Sequence, residues 1–192
     1  GCAASDADPV RGDVQPAVFV AVTDEDITKF GEFPFDRAVY AATLKKLSAN
    51  GARAAGLKFF YDRTTASDGA LARAMKRLPT FIQQGLDVDQ SPRTGPLRGK
   101  AQPISAEIGD SATAIGFVES ELSENHDRIE LQAKIDGQWR KSLQLLLAEQ
   151  LVGSQAQISN NELRLGRHHL PIDNLGRAIC AYSQLPLPPI VP

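Results

Sequence analysis

Ala17-Val18-Phe19-Val20-Ala21-Val22 and Ala54-Ala55-Gly56-Leu57-Lys58-Phe59-Phe60 bracket a stretch in which the apolar period changes. Both end segments are short, almost continuously apolar and rich in β-branched or aromatic residues. That is the composition of strands buried on both faces. Between them Tyr40, Leu44 and Leu47 recur at i, i+4 and i+7, one apolar helix stripe. Asn50-Gly51 supplies the stop. From Val18 to Phe60 the chain therefore reads as strand, loop, helix, strand. That order implies parallel pairing of the two strands through a right-handed crossover. The loop holds the acidic turn Thr23-Asp24-Glu25-Asp26, and Ile27 to Gly31 form a short helical turn at most.

Toward the C-terminus the same reasoning predicts a second helix. Ser67 caps it, Asp68 favours its first turn, Leu71, Met75 and Leu78 form its stripe, and Pro79 ends it. Thr80-Phe81-Ile82 and Thr113 to Val118 read as strands. From Gln84 to Ala112 the chain is rich in Gly, Pro, Ser and charge without period, a long loop that is either functional or mobile. Arg128 to Ile135 alternates, with Ile129, Leu131, Ala133 and Ile135 apolar, as a half-exposed antiparallel strand near a sheet edge does. Trp139 precedes a third helix with Leu143, Leu146, Leu147 and Leu151 on one face, ended by Gly153. Glu162 to Leu165, the turn Gly166-Arg167 and His168 to Ile172 resemble a hairpin. Ala178 to Tyr182 is a final short strand.

The expected class is α/β: a three-layer-like mixed sheet with a parallel strand–helix–strand core in the N-terminal half. Antiparallel hairpin strands are added from the C-terminal half. Residues 1–16 read as a disordered or extended lead-in and 17–183 as one domain. Residues 184–192 read as a Pro-rich exit, with four prolines in the last eight residues.

Composition excludes several functions. The 192 residues suit one domain, and 42% apolar content suffices for a core. Net charge is −2 with Lys and Arg scattered, so the footprint of a nucleic-acid binder is missing. No apolar run approaches the length of a membrane span. The chain carries no Gly-x-Ser-x-Gly elbow, phosphate loop or dinucleotide fingerprint, and no Cys-x-x-Cys or His-Glu-x-x-His. Neither a metal nor a cofactor is expected. His168 and His169 are adjacent, so on a strand they face opposite sides. Cys180 lies in an apolar stretch and reads as a small buried residue. Cys2 opens a polar tail; it is either a chance residue or the site where a bacterial lipoprotein would carry its lipid.

Three residues of the opening unit invite a functional reading. Asp24, in the acidic turn directly after the first strand, sits where ligands bind in parallel sheets. With its neighbours it would take a cation or a basic ligand, or form a solvated connection. Lys58 lies inside an apolar strand and must pair, snorkel or reach the sheet end, with Asp24 or Asp26 as partner or a ligand as contact. Arg37 at the start of a helix opposes the helix dipole. Its reading is a clamp to Asp24 or an anion contact.

The order of these features resembles the type 2 CHASE domains, the cyclase- and histidine-kinase-associated sensory extracellular domains of bacteria. The resemblance rests on Phe30-Gly31-Glu32-Phe33-Pro34-Phe35-Asp36-Arg37, on Gly51-Ala52-Arg53, and on Phe59-Phe60-Tyr61-Asp62. It continues through Asp68 to Leu78, Gly116-Phe117-Val118, Arg128 and Leu170-Pro171-Ile172-Asp173, with Gly176 and Tyr182. Thr23 and Lys58 stand where the family pattern usually has Asp. The resemblance implies a non-catalytic sensory module outside the cytoplasm, with Asp24, Arg37, Lys58 and Asp62 as the ligand-contacting set. The ligand is a small molecule or an envelope protein. Attachment to a membrane would come through lipid on Cys2 or through transmembrane helices elsewhere. The alternative is an envelope lipoprotein with a structural or protein-interaction role.

Overall fold

The computed structural model describes residues 17–88, 95–118, 128–159, 161–179 and 190–191. Cys2, Cys180 and the lead-in 1–16 lie outside these residues. In chain order the elements begin with β1 (Phe19–Val20), α1 (Asp24–Phe30), α2 (Arg37–Ala49), β2 (Ala55–Leu57), α3 (Asp68–Met75) and β3 (Thr80–Gln84). They continue with β4 (Leu86–Val88), β5 (Arg98–Ala101), α4 (Ala106–Gly109), β6 (Ala114–Phe117), β7 (Arg128–Glu130) and β8 (Gln132–Ile135). The last are β9 (Gln138–Lys141), α5 (Leu143–Val152), β10 (Ala156–Ile158), β11 (Glu162–Leu165), β12 (His168–Pro171), β13 (Arg177–Ile179) and β14 (Ile190–Val191).

The architecture is the expected mixed α/β. A parallel sheet in the order β2-β3-β6 forms its centre, in register Ala55↔Thr80 and Phe81↔Ala114. The crossovers α3 and α4 both pack on one face with α2. There Tyr40, Leu44, Leu71, Met75, Leu57, Ile82 and Ile108 make one buried cluster. Helix α5 covers the other face. Two glycines let it come close: a Cβ on Gly116 would sit 2.5 Å from the Leu143 backbone nitrogen, and one on Gly56 would sit 2.6 Å from Leu147 Cδ1. β4 joins strands from the C-terminal half in a sheet β4-β5-β8-β9, antiparallel except where β5 and β8 run parallel, and a meander β10-β11-β12 follows. These strands close two further apolar clusters. One centres on Leu86, Phe117 and Ile135, the other on Leu131, Leu145 and Leu163.

Five features depart from the sequence expectation. The acidic turn is the first turn of α1. Thr23 Oγ1 accepts from the Asp26 amide at 3.3 Å, and Asp26 Oδ2 accepts from the Thr23 amide at 2.9 Å. This reciprocal cap nucleates a helix that apolar period alone does not reveal. β1 does not pair with β2. It lies parallel to β14, Phe19 opposite Ile190 and Val20 opposite Val191, and the residues 17–22 are exposed. Strand composition carries no record of which strand will be the partner. The stretch from Gln84 to Ala112 is not one structureless loop but contains β4, β5 and α4, elements too short to show a period. Arg128 to Ile135 breaks at buried Leu131 into β7, paired with β13, and β8, paired with β5 and β9. Trp139 does precede the third expected helix, α5, but it stands in a strand that the sequence did not announce, β9, and is exposed.

Candidate functional site

The carboxyl end of β2 carries the densest polar construction among the described residues. Arg37 begins α2 and Asp68 begins α3, each on the apolar stripe of its helix. Arg37 precedes Tyr40 and Leu44 by three and seven residues; Asp68 precedes Leu71 and Met75 by the same intervals. The packing of α2 against α3 therefore carries both charged groups inward. Their side chains are 8% and 0% exposed and form an ion pair. Arg37 also donates to the Arg63 carbonyl, in the segment that follows β2. Its guanidinium lies 5.2 Å from the centre of the Tyr61 ring.

Asp68 is fully engaged. One carboxylate oxygen accepts from Arg37, from the Thr65 amide at 3.1 Å and from the Thr65 hydroxyl at 2.7 Å. The other accepts from Ser105 at the start of α4, and the Ser105 amide donates to the Tyr61 carbonyl at 2.7 Å. Burial pushes the Asp68 carboxyl up. The hydrogen bonds from Ser105 and Thr65 and the Arg37 charge outweigh burial and hold it below its ordinary value. With every nearby donor already committed, Asp68 is a tether and not a free base. Tyr61 is 2% exposed and its hydroxyl has no partner among the described residues. Burial pushes that phenol up, with Tyr40 adding to the rise, so it stays neutral.

Around this junction lies an aromatic chain: Phe30–Phe35 at 5.7 Å, Phe33–Phe35 at 5.8 Å, Phe33–Phe59 at 5.8 Å and Tyr40–Phe59 at 4.7 Å between ring centres. The Tyr40 hydroxyl accepts from the Phe35 amide at 3.1 Å. Asp36 caps α2 by accepting from the Ala38 amide at 2.7 Å. That bond holds the Asp36 carboxyl low, with help from the Ser67 hydroxyl. Beside the aromatics a shallow apolar groove of about 470 Å³ is lined by Phe30, Val39, Ala42, Thr43 and Lys46.

The four ligand residues expected from the sequence separate into an inner and an outer group. Arg37 is inside, paired with Asp68 and not with Asp24. Asp24 is exposed in the first turn of α1. Lys58 is exposed just past β2, with neither Asp24 nor Asp26 as a partner among the described residues. Asp62 is exposed, its carboxylate 3.9 Å from the Arg63 guanidinium. The structure thus brings Arg37 to the segment holding Asp62, through Arg63, and leaves Asp24 and Lys58 unjoined to it. Sequence reasoning missed Asp68, Thr65 and Ser105. The available signal was an acid three residues ahead of Leu71 on a buried stripe, which demands a cation.

Among the described residues no three His, Cys, Asp or Glu side chains gather as a metal would need, and no helix is long and apolar enough to cross a membrane. A model of the CHASE2 domain family matches residues 4–191. No curated protein and no solved structure matches the chain.

Proposed function

The chain belongs to the CHASE2 domain family, and we propose on that footing that it is an extracytoplasmic ligand- or partner-sensing module of bacterial signal transduction, without catalytic activity. CHASE2 domains are extracellular sensory domains of signalling proteins. One observation supports a site at the carboxyl end of β2. There a single buried ion pair ties the segment after the strand to the starts of α2, α3 and α4. An effector contacting Lys58 and Asp62 from outside would pull on the Arg63 carbonyl and hence on Arg37, with Asp24 adding a negative group on α1. A sensory response requires that the effector favour one of two such arrangements over the other.

The test is a thermal-shift survey of the purified chain against nucleotides, amino acids, carboxylic acids and polyamines. A midpoint that rises with one class, and no longer rises in Lys58→Ala or Asp62→Ala, supports the reading. A flat response across all classes removes the small-molecule version.

A second reading, an envelope protein with a structural or interaction role, is favoured by a different observation. Val18, Phe19, Val20, Phe30, Phe33 and Phe60 are all between 45% and 62% exposed. Exposed apolar surface of this kind marks partner sites. Membrane attachment through lipid on Cys2 belongs to both readings. It is tested by the intact mass of detergent-extracted protein, where a diacylglyceryl addition lost in Cys2→Ala is the supporting result.

A further inference from the structure

β2 is the outer strand of the parallel sheet, and no described strand pairs with its free edge. Ala55 donates to the Pro79 carbonyl on the inner side at 2.9 Å, so alternation turns the Gly56 amide and carbonyl outward. Unpaired edge groups of this kind are a template for another strand.

The position of α2 indicates which strand fits. α3 joins β2 to β3 and α4 joins β3 to β6, each on the same face of the sheet. α2 packs on that face too, its Tyr40, Ala41 and Leu44 sharing the core with Leu57 and Ile82. It stands where a right-handed crossover from a strand beside β2 would run. The strand that precedes α2 is Ala17–Val22, which has no polar residue and is exposed along its whole length. Its ladder with β14 spans only two residue pairs. A segment with the composition of a doubly covered strand and an edge lacking a strand are complementary, and α2 already occupies the connection between them.

We infer that Ala17–Val22 exchanges between two parallel ladders: one on β14, and one on the free edge of β2 that gives the order β1-β2-β3-β6. The exchange releases β14 when it fills the sheet, so it links the first and last described strands through the central layer. It stands independently of which effector the domain takes.

Amide hydrogen exchange of the full chain, followed residue by residue by NMR, tests it. With the two ladders about equally populated, the outward Gly56 amide exchanges about twofold more slowly than an open-chain amide. Val20→Asp puts a charge where the sheet would bury it but costs nothing in the exposed arrangement. It returns Gly56 to the open-chain rate while Leu57 and Ile82 keep their protection. Should Val20→Asp unfold the chain, shown by loss of protection at Leu57 and Ile82, Val20→Thr is read in its place with the same expectation at smaller size. Three results overturn the exchange. Gly56 is unprotected in the natural sequence, its protection is unmoved by the substitution, or the protection rises with protein concentration, which assigns the added strand to a second copy.

Discussion

The start of α2 and the segment just before it invert the ordinary arrangement of polar and apolar groups in opposite senses. At Arg37 and Asp68, charges are taken inside, and each is met by several hydrogen bonds. At Phe19, Val20, Phe30 and Phe33, large apolar side chains remain in water. The first inversion is stabilising only as a complete set, because a buried charge without its partner is severely penalised. The second leaves interaction surface in reserve and fixes little of the fold. The clamp therefore fixes how the helix starts meet, and the freedom to meet something else resides in the segment beside it.

That contrast is sharpest in substitutions. Asp68→Ala strands the Arg37 guanidinium, and urea denaturation should show a loss of about 3–5 kcal/mol. Arg37→Met combined with Asp68→Leu should lie closer to the natural protein than Asp68→Ala does, since the double change leaves no lone charge. Gly116→Ala comes next. Its Cβ meets backbone at Leu143 and Ser142, which cannot swing aside, so a loss of about 1–3 kcal/mol is expected. Gly56→Ala should cost less, because it meets only the tip of Leu147.

Acid provides the third measure. The Asp173 carboxyl is raised by burial but lowered more by the Arg177 amide and side chain and the Leu175 amide, and it stays below its ordinary value of 3.8, as Asp68 does. A carboxyl depressed in the folded state contributes stability that is present above the unfolded value and is lost as pH falls through the folded one. Thermal midpoints should hold between pH 7 and 5 and decline below about 4. Asp173→Asn should shallow that decline; an unchanged acid limb would count against the clamp at Arg177. Last and smallest, Lys58→Ala or Phe19→Ser should move stability by no more than about 0.5 kcal/mol. A larger loss at Phe19 would mean that the exposed segment is part of the core after all.

The helices and the parallel centre were legible because their signals are local. Tyr40, Leu44 and Leu47, or Leu71 and Met75, carry their own period, and Asn50 and Gly153 cap their helices as expected, whereas α3 stops at Met75, short of Leu78 and Pro79. What escaped was pairing at a distance. Val18 to Val22 has the composition of an inner strand, yet its partner is Ile190–Val191, more than a hundred residues away, and nothing in either segment encodes the other. β4 and β10 are three residues each, shorter than any period. At the junction, Arg37 could be singled out as a cation against the helix dipole, but its partner was assigned to nearby Asp24. Asp68 looked like an ordinary first-turn acid because helix starts favour acids for a local electrostatic reason. That local explanation concealed the tertiary one.

α1 buries none of its residues. The reciprocal cap at Thr23 and Asp26 fastens only its own first turn, and its tie to the layers behind is the edge of the Phe30 ring against Phe35. A helix of seven residues secured so lightly opens far more often than the layers behind it. Trypsin should find Lys29 well before the buried Arg37 at the start of α2. The chain would then be nicked between its first strand and its clamp, and that strand would be held to the rest of the molecule only by what it pairs with.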